Sequence, residues 1–203
     1  DILGAALPDG EPIGVDANAA SGAAAPLFDG VAARPFADEV AAKLVAPIDA
    51  ADVEVKPDGL LYYPEIKYRR RLNAAFGPGG WAMRPVSALH RNAREQYVWR
   101  VYHLIAHGRF VAEAIGEQRL AAKAMSLPTA AEGAKSNAIM RCCKDLGVAS
   151  ELWDPTYIDQ WRATHAVRVL CVHKKTREKR VLWRNRAAPP FAFPWQEESV
   201  MHA

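Results

Sequence analysis

Lys67, Arg69, Arg70 and Arg71 crowd one short stretch of the chain, and Trp81 follows closely. Lys135, Asn137, Arg141 and Lys144 form a second group. Arg168, Lys174, Lys175, Arg177, Lys179, Arg180 and Trp183 form a third. Side chains of these types are suited to neutralising anions rather than to moving protons or holding metals. Lysine and arginine follow a phosphate backbone, and aromatic rings accept bases by stacking, with little dependence on sequence. A single arginine is by itself an ordinary surface residue. Three clusters in one chain point to a polyanion, and the interleaved aromatics favour a single-stranded nucleic acid.

Other chemistries find less support. Gly77-Pro78-Gly79-Gly80 lacks the Lys-Ser/Thr of a phosphate-binding loop and follows a helical pattern rather than a strand. The chain has no Gly-x-Ser-x-Gly elbow and no carboxylate-rich cluster for divalent metals. His165, Cys171 and His173 share parity on an expected strand, but a fourth zinc ligand at ordinary spacing is missing. Cys142 and Cys143 read as small core residues of a helix. The expectation is a binding protein without catalytic residues, metal or nucleotide cofactor.

The elements that must carry these clusters follow from periodicity. Asp38–Ala46 predicts a short helix stopped by Pro47, and Lys56-Pro57-Asp58-Gly59 a turn. Pro64 opens a helix with Tyr68, Leu72 and Phe76 on one face, closed by Gly77-Pro78. Lys67, Arg70 and Arg71 fall on its other side, with Arg69 at the boundary. Trp81–Leu89, Tyr97–Ala106 and Arg109–Glu117 read as three strands, the last two joined by a tight His107-Gly108 turn.

A second helix spans about Ala130–Leu146. It has Ala131, Ala138, Ile139, Cys142 and Leu146 on its apolar face and Asn137, Arg141 and Lys144 opposite. Lys135 falls inside the apolar stripe, which suggests a carboxylate partner on a neighbouring subunit or DNA across an interface. A short helix over Tyr157–Trp161 and a basic hairpin, Ala166–Val172 with Lys179–Trp183, complete the reading. The expected fold is α+β: a three-stranded antiparallel meander flanked by two helices, with a C-terminal basic hairpin.

A length of 203 residues, half of them hydrophobic, suffices for one domain with tails. The boundaries expected are an acidic Ala/Gly/Pro-rich arm over 1–34, a folded domain over 35–186 and an aromatic, Pro-rich tail over 187–203. No apolar run is long enough to predict a membrane span. Three cysteines, two of them adjacent, do not suggest a secreted disulfide framework. The net charge of +3 hides an asymmetry: residues 1–55 hold ten acidic and two basic side chains, so the remainder is strongly basic. An acidic arm of this kind is expected to compete with a polyanion for the basic surface. The first residues lack the Arg-rich pattern of a transit peptide, and any targeting segment is expected to have been removed.

Longer strings carry a resemblance. Leu60 through Arg70, Asn73-Ala74-Ala75-Phe76-Gly77-Pro78-Gly79-Gly80-Trp81 and Gly116-Glu117-Gln118 resemble the fungal mitochondrial genome maintenance protein family. So do Glu132 through Ala138, Met140 through Gly147 and Ser150 through Pro155. The similarity covers about residues 37–186. That family is itself similar to the eukaryotic single-strand annealing recombination mediators of double-strand-break repair.

The resemblance implies a β-β-β-α core that assembles into homo-oligomeric rings with single-stranded DNA in a basic groove. It implies ATP-independent annealing of complementary strands, with an annealed duplex intermediate as a partner and no membrane involvement. It implies a location in the mitochondrial matrix and nucleoid. By position it assigns backbone contacts to the basic residues of the first long helix and to Arg141 and Lys144, and a groove-shaping role to Trp81. It assigns DNA binding to Lys174, Lys175, Arg177, Lys179 and Arg180. The alternative is a nucleoid protein that protects or packages single strands without pairing them. An RNA-binding module is a more distant reading, and a nuclease the most distant.

Overall fold

The computed structural model describes residues 12–13, 34–92, 94, 96–120 and 125–201. Most of the expected acidic arm lies outside these residues. In chain order the elements are β1 (Pro12–Ile13), α1 (Asp38–Leu44), β2 (Glu54–Val55), β3 (Leu61–Tyr62), α2 (Glu65–Phe76), β4 (Trp81–Pro85) and β5 (Leu89–Asn92). Then follow β6 (Tyr97–Ala106), β7 (Arg109–Arg119), α3 (Leu127–Asp145), α4 (Pro155–His165), β8 (Ala166–His173), β9 (Lys179–Asn185) and β10 (Trp195–Met201). The protein is thus α+β, with four α-helices and antiparallel sheets among the described residues. The single domain expected over 35–186 resolves into two units. One joins residues up to Ala46 with Glu65–Val148, and the other joins Pro47–Pro64 with Ala149–Ala203.

The first unit is built on β6, which pairs with β7 along one edge and with both β4 and β5 along the other; β1 adds to β5. The expected strand over Trp81–Leu89 is therefore two strands. Pro85 ends β4, since proline brings no N–H to a ladder. Across the gap Val86 N–H donates to the Val101 carbonyl, Val101 N–H to Ser87 Oγ, and Arg100 Nε to the Ser87 carbonyl. The β6–β7 ladder runs from Tyr97 opposite Arg119 to Ala106 opposite Arg109. His107 and Gly108, at φ 49° and 73°, make the two-residue turn that the right-handed twist of a hairpin favours.

Helix α3 begins at Ser126, whose hydroxyl accepts from Thr129 N–H, with Pro128 in the first turn. It buries Ala130, Ala134, Ala138, Ile139, Cys142 and Cys143. Ala130 and Ala134, rather than Ala131, therefore sit deepest. Their small size lets α3 approach β7 closely. A Cβ on Gly116 would lie 1.9 Å from the Ala134 carbonyl oxygen, and one on Gly133 would lie 2.4 Å from Gln118 Oε1. Helix α2 buries Tyr68, Leu72, Ala75 and Phe76 and ends where Gly77 takes φ +81°.

In the second unit β8 lies between β9 and β10. The expected basic hairpin therefore forms two strands of a three-stranded sheet, and the expected aromatic tail supplies the third. Val169, Cys171 and Leu182 form its core with Phe191 and Trp195 packed against them. Arg184 and Glu197 make a two-pronged ion pair (2.8 and 3.3 Å) with both side chains 15% exposed. Helix α4 is longer than the expected Tyr157–Trp161. Asp154 caps it by accepting from Thr156 N–H, and buried Trp161 donates to the Ala50 carbonyl.

Candidate nucleic-acid interface

The four basic residues of α2 meet different fates. Arg70 is exposed, with no ion pair or side-chain hydrogen bond among the described residues. Lys67 is half-buried. Arg69 pairs with Glu65 one turn earlier at 2.6 Å and lies 5.8 Å from the Trp81 ring, whose Nε1 donates to Asn73 Oδ1. Arg71 turns inward, and its Nη1 donates to the Lys43 and Ala46 carbonyls at the end of α1 (2.9 and 2.6 Å). These are carbonyls that the helix cannot satisfy itself, so Arg71 holds α1 in place. The Arg71 side chain expected to meet DNA is thus engaged within its own unit through Nη1.

The α3 group is engaged with its own unit. Lys135 does not sit in the buried stripe but pairs with Glu132 one turn away at 2.6 Å. Within the chain, Glu132 is its carboxylate partner. Asn137 Oδ1 accepts from Glu117 N–H on the outer edge of β7, and Arg141 Nη2 donates to the Glu117 carboxylate at 2.8 Å. Lys144 is exposed near the helix C-terminus, where the dipole favours a cation. Sequence reasoning missed Arg94 and Arg119, which line a concavity with Tyr97 and Glu117. The opposition of Tyr97 and Arg119 across the β6–β7 ladder was the signal that could have found Arg119.

In the second unit cations and aromatics alternate. Trp183 has Arg162 and Arg168 at 5.8 and 5.7 Å from its ring centroid. Lys175 lies 5.5 Å from Phe193, and Arg180 lies 5.9 Å from Trp195 while pairing with Glu178. Lys179 pairs with Glu198. Lys174 and Arg177, on the β8–β9 turn, are exposed with no side-chain ion pair among the described residues. Arg162 and Arg186, which bound the basic stretch of the sequence, were not among the expected site residues. Both reach the β8 face beside Trp183 from outside the hairpin, Arg162 from α4 and Arg186 from just beyond β9.

The other candidate chemistries do not assemble. His165 ends α4 rather than lying on β8, with its ring 5.2 Å from that of Trp161, and His173 Nδ1 bonds with Thr176. No grouping of three His, Cys, Asp or Glu side chains suited to a metal exists among the described residues. Burial pushes the Cys142 thiol up to about 12 and raises Cys143 and Cys171 as well. All three therefore remain protonated, unreactive thiols at neutral pH. Among the described residues no helix is long and apolar enough to cross a membrane.

Comparison with known proteins identifies the family. The family model described as Mitochondrial genome maintenance MGM101 matches residues 24–196. A mitochondrial genome maintenance protein of Mycosarcoma maydis is 55% identical over 170 residues, covering 84% of this chain and 50% of the relative. A homologue from Dictyostelium discoideum is 46% identical, covering 84% of this chain and 45% of its own length. The Schizosaccharomyces pombe relative is 49% identical, covering 84% of this chain and 62% of its own. The chain spans about half the length of the first two. It belongs to the mitochondrial genome maintenance MGM101 family.

Proposed function

We propose that this chain binds single-stranded DNA through exposed basic side chains and promotes ATP-independent annealing of complementary strands in mitochondrial genome maintenance. The observation that carries the reading is the alternation of cations and aromatic rings on the second unit, around Trp183, Phe193 and Trp195. That pairing of chemistries suits a strand whose phosphates and base faces are both accessible. Arg70 on the first unit adds a cation with no internal partner among the described residues. Annealing needs no nucleotide cofactor, because base pairing supplies the free energy. The protein lowers the barrier by neutralising phosphate repulsion. The names of the relatives support a mitochondrial location, and the resemblance implies the matrix and nucleoid. Assembly into a homo-oligomeric ring, which the resemblance to annealing mediators implies, would repeat weak contacts along one strand.

Fluorescence anisotropy with labelled oligonucleotides tests the binding. Affinity should favour single strands over duplex, vary little with sequence and fall steeply with salt. A strand-pairing assay without ATP or divalent metal tests annealing. A chain that coats strands and slows their pairing is a protection protein, and strand cleavage would revive a nuclease. Light scattering at micromolar concentration, with and without DNA, tests the oligomer, and a strictly monomeric mass would exclude it.

A further inference from the structure

A cavity of about 460 Å³ opens in the second unit where α4 faces β8 and β9. Its walls hold Arg162, Arg168 and Arg186 against a single acid, Asp159. Trp183 forms one side, and Val167, Val200 and Met201 contribute apolar surface. The sheet register sets the central row: Arg168 lies directly opposite Trp183 on β9 and opposite Met201 on β10.

Each wall is held by the protein itself. Arg162 donates from Nε and Nη2 to the Gly59 carbonyl (3.0 and 2.7 Å) and sits 3.4 Å from Asp159. Arg186 donates from Nη2 to the Ala163 and Ala166 carbonyls at the end of α4, leaving Nε and Nη1 without a partner among the described residues. Gly59 covers the pyrrole ring of Trp183, where a Cβ would come within 2.9 Å of Cδ1 and Nε1. The indole is thus packed by the turn at its pyrrole ring and also lines the cavity. Arg168 is exposed, with only the indole as a side-chain partner among the described residues.

We propose that this cavity is a single-nucleotide subsite, in which one base of a bound strand stacks on Trp183 while its phosphate is held by Arg168 and Arg186. The proposal rests on the single-strand binding reading and names the place where one nucleotide is gripped. The volume lies in the small-ligand range. Of the two proposed phosphate ligands, Arg186 is fixed by backbone carbonyls before any ligand arrives, which lowers the ordering cost of binding. Arg162 backs the indole and acts as a positioning residue. A grip on a ring face and a phosphate does not depend on the identity of the base. Gripping one nucleotide leaves its neighbours free to pair.

The test compares intact and abasic oligonucleotides of one length on the full chain and on Trp183→Leu and Arg168→Ala. Loss of the bases should weaken binding to the unmodified chain by roughly 5- to 150-fold, the range for stacked bases on aromatic side chains. Trp183→Leu should weaken binding of the intact strand, and base removal should cost it less than it costs the unmodified chain, by the contribution of one stacked base. Arg168→Ala should flatten the salt dependence by about 0.7. Undiminished sensitivity of Trp183→Leu to base removal would overturn the subsite while leaving single-strand binding intact.

Should Trp183→Leu fail to fold, photo-crosslinking of an iodouracil-substituted strand to the unmodified chain decides. A crosslinked peptide containing Trp183 supports the subsite, and crosslinks confined to other peptides overturn it. Absence of single-strand binding by the unmodified chain would overturn both readings.

Discussion

Lys135 and Arg141 on α3 each hold a carboxylate, whereas Arg168 on β8 holds an indole. Equal charges are not equally available. A cation beside a glutamate is already neutralised, and a phosphate must displace that glutamate to reach it. A cation over an aromatic ring keeps its full charge and gains an orientation. The count of basic residues therefore overstates the electrostatic reach of α3, and in the second unit it holds for Arg168 but not for Lys179 and Arg180, which also pair with glutamates. The units also differ in how they hold together. The first relies on small residues that let helix and strand touch, and the second on an enclosed ion pair and aromatic packing.

The largest effect expected strikes the seat of α3. Gly116→Val should cost about 3 kcal/mol or more, because side-chain atoms would enter space occupied by the Ala134 carbonyl. Denaturant unfolding measures this, and a near-neutral result would show that α3 is free to shift.

Glu197→Gln should come next, at about 3 kcal/mol, the lower end for breaking a buried pair, since both partners keep 15% exposure. The Arg184 hydrogen bond beside it holds the Glu197 carboxyl below the ordinary carboxylate range. A pKa lowered by folding contributes stability that is complete above the unfolded value and is lost as pH falls through the folded one. The advantage of the parent over Glu197→Gln should therefore be full at neutral pH and vanish in acid. Melting curves across that range read it directly.

Arg70→Ala should weaken single-strand binding by about 1.5–3 kcal/mol, as for a charged hydrogen bond, with little change in thermal stability. Its salt slope should be shallower by about 0.7. The smallest effects sharpen the contrast on α3. Arg141→Ala should change binding by less than about 1 kcal/mol, because Glu117 already occupies the guanidinium. Glu117→Gln should strengthen binding slightly by releasing it. If both variants weaken binding equally, the ion pair itself shapes the surface.

The sequence made local features legible. The alternation of β6 and the His107-Gly108 turn lie within one stretch of chain, so the bounds Tyr97–Ala106 could be read directly. Pro64 and Gly77 likewise delimit α2. The break between β4 and β5 was hidden because Ser87 closes it by bonding Val101, which only the folded pairing brings near. Strand β10 was hidden because its partner β8 precedes it by a long aromatic and Pro-rich connection. At the site, charge and residue type were visible, but partners were not. Arg71 meets α1 across 25 residues or more, and Arg141 meets Glu117 across 24. Arg162 and Arg186 join Trp183 only once α4 and the sheet are in place.

The outer edge of β7 has a consequence for the order in which the first unit assembles. The β6–β7 hairpin is joined by a two-residue turn and needs no distant partner, so it can form on a timescale of about 1–10 μs. Helix α3 docks on a surface that includes Gly116, and that surface exists only once the hairpin has formed. In the interval the Glu117 N–H, later covered by Asn137, faces solvent along an open strand edge. Such an edge is a template for a strand of another chain. Nascent or refolding chains are therefore most prone to aggregate between hairpin closure and helix docking, and substitutions that slow the docking of α3 lengthen that exposure.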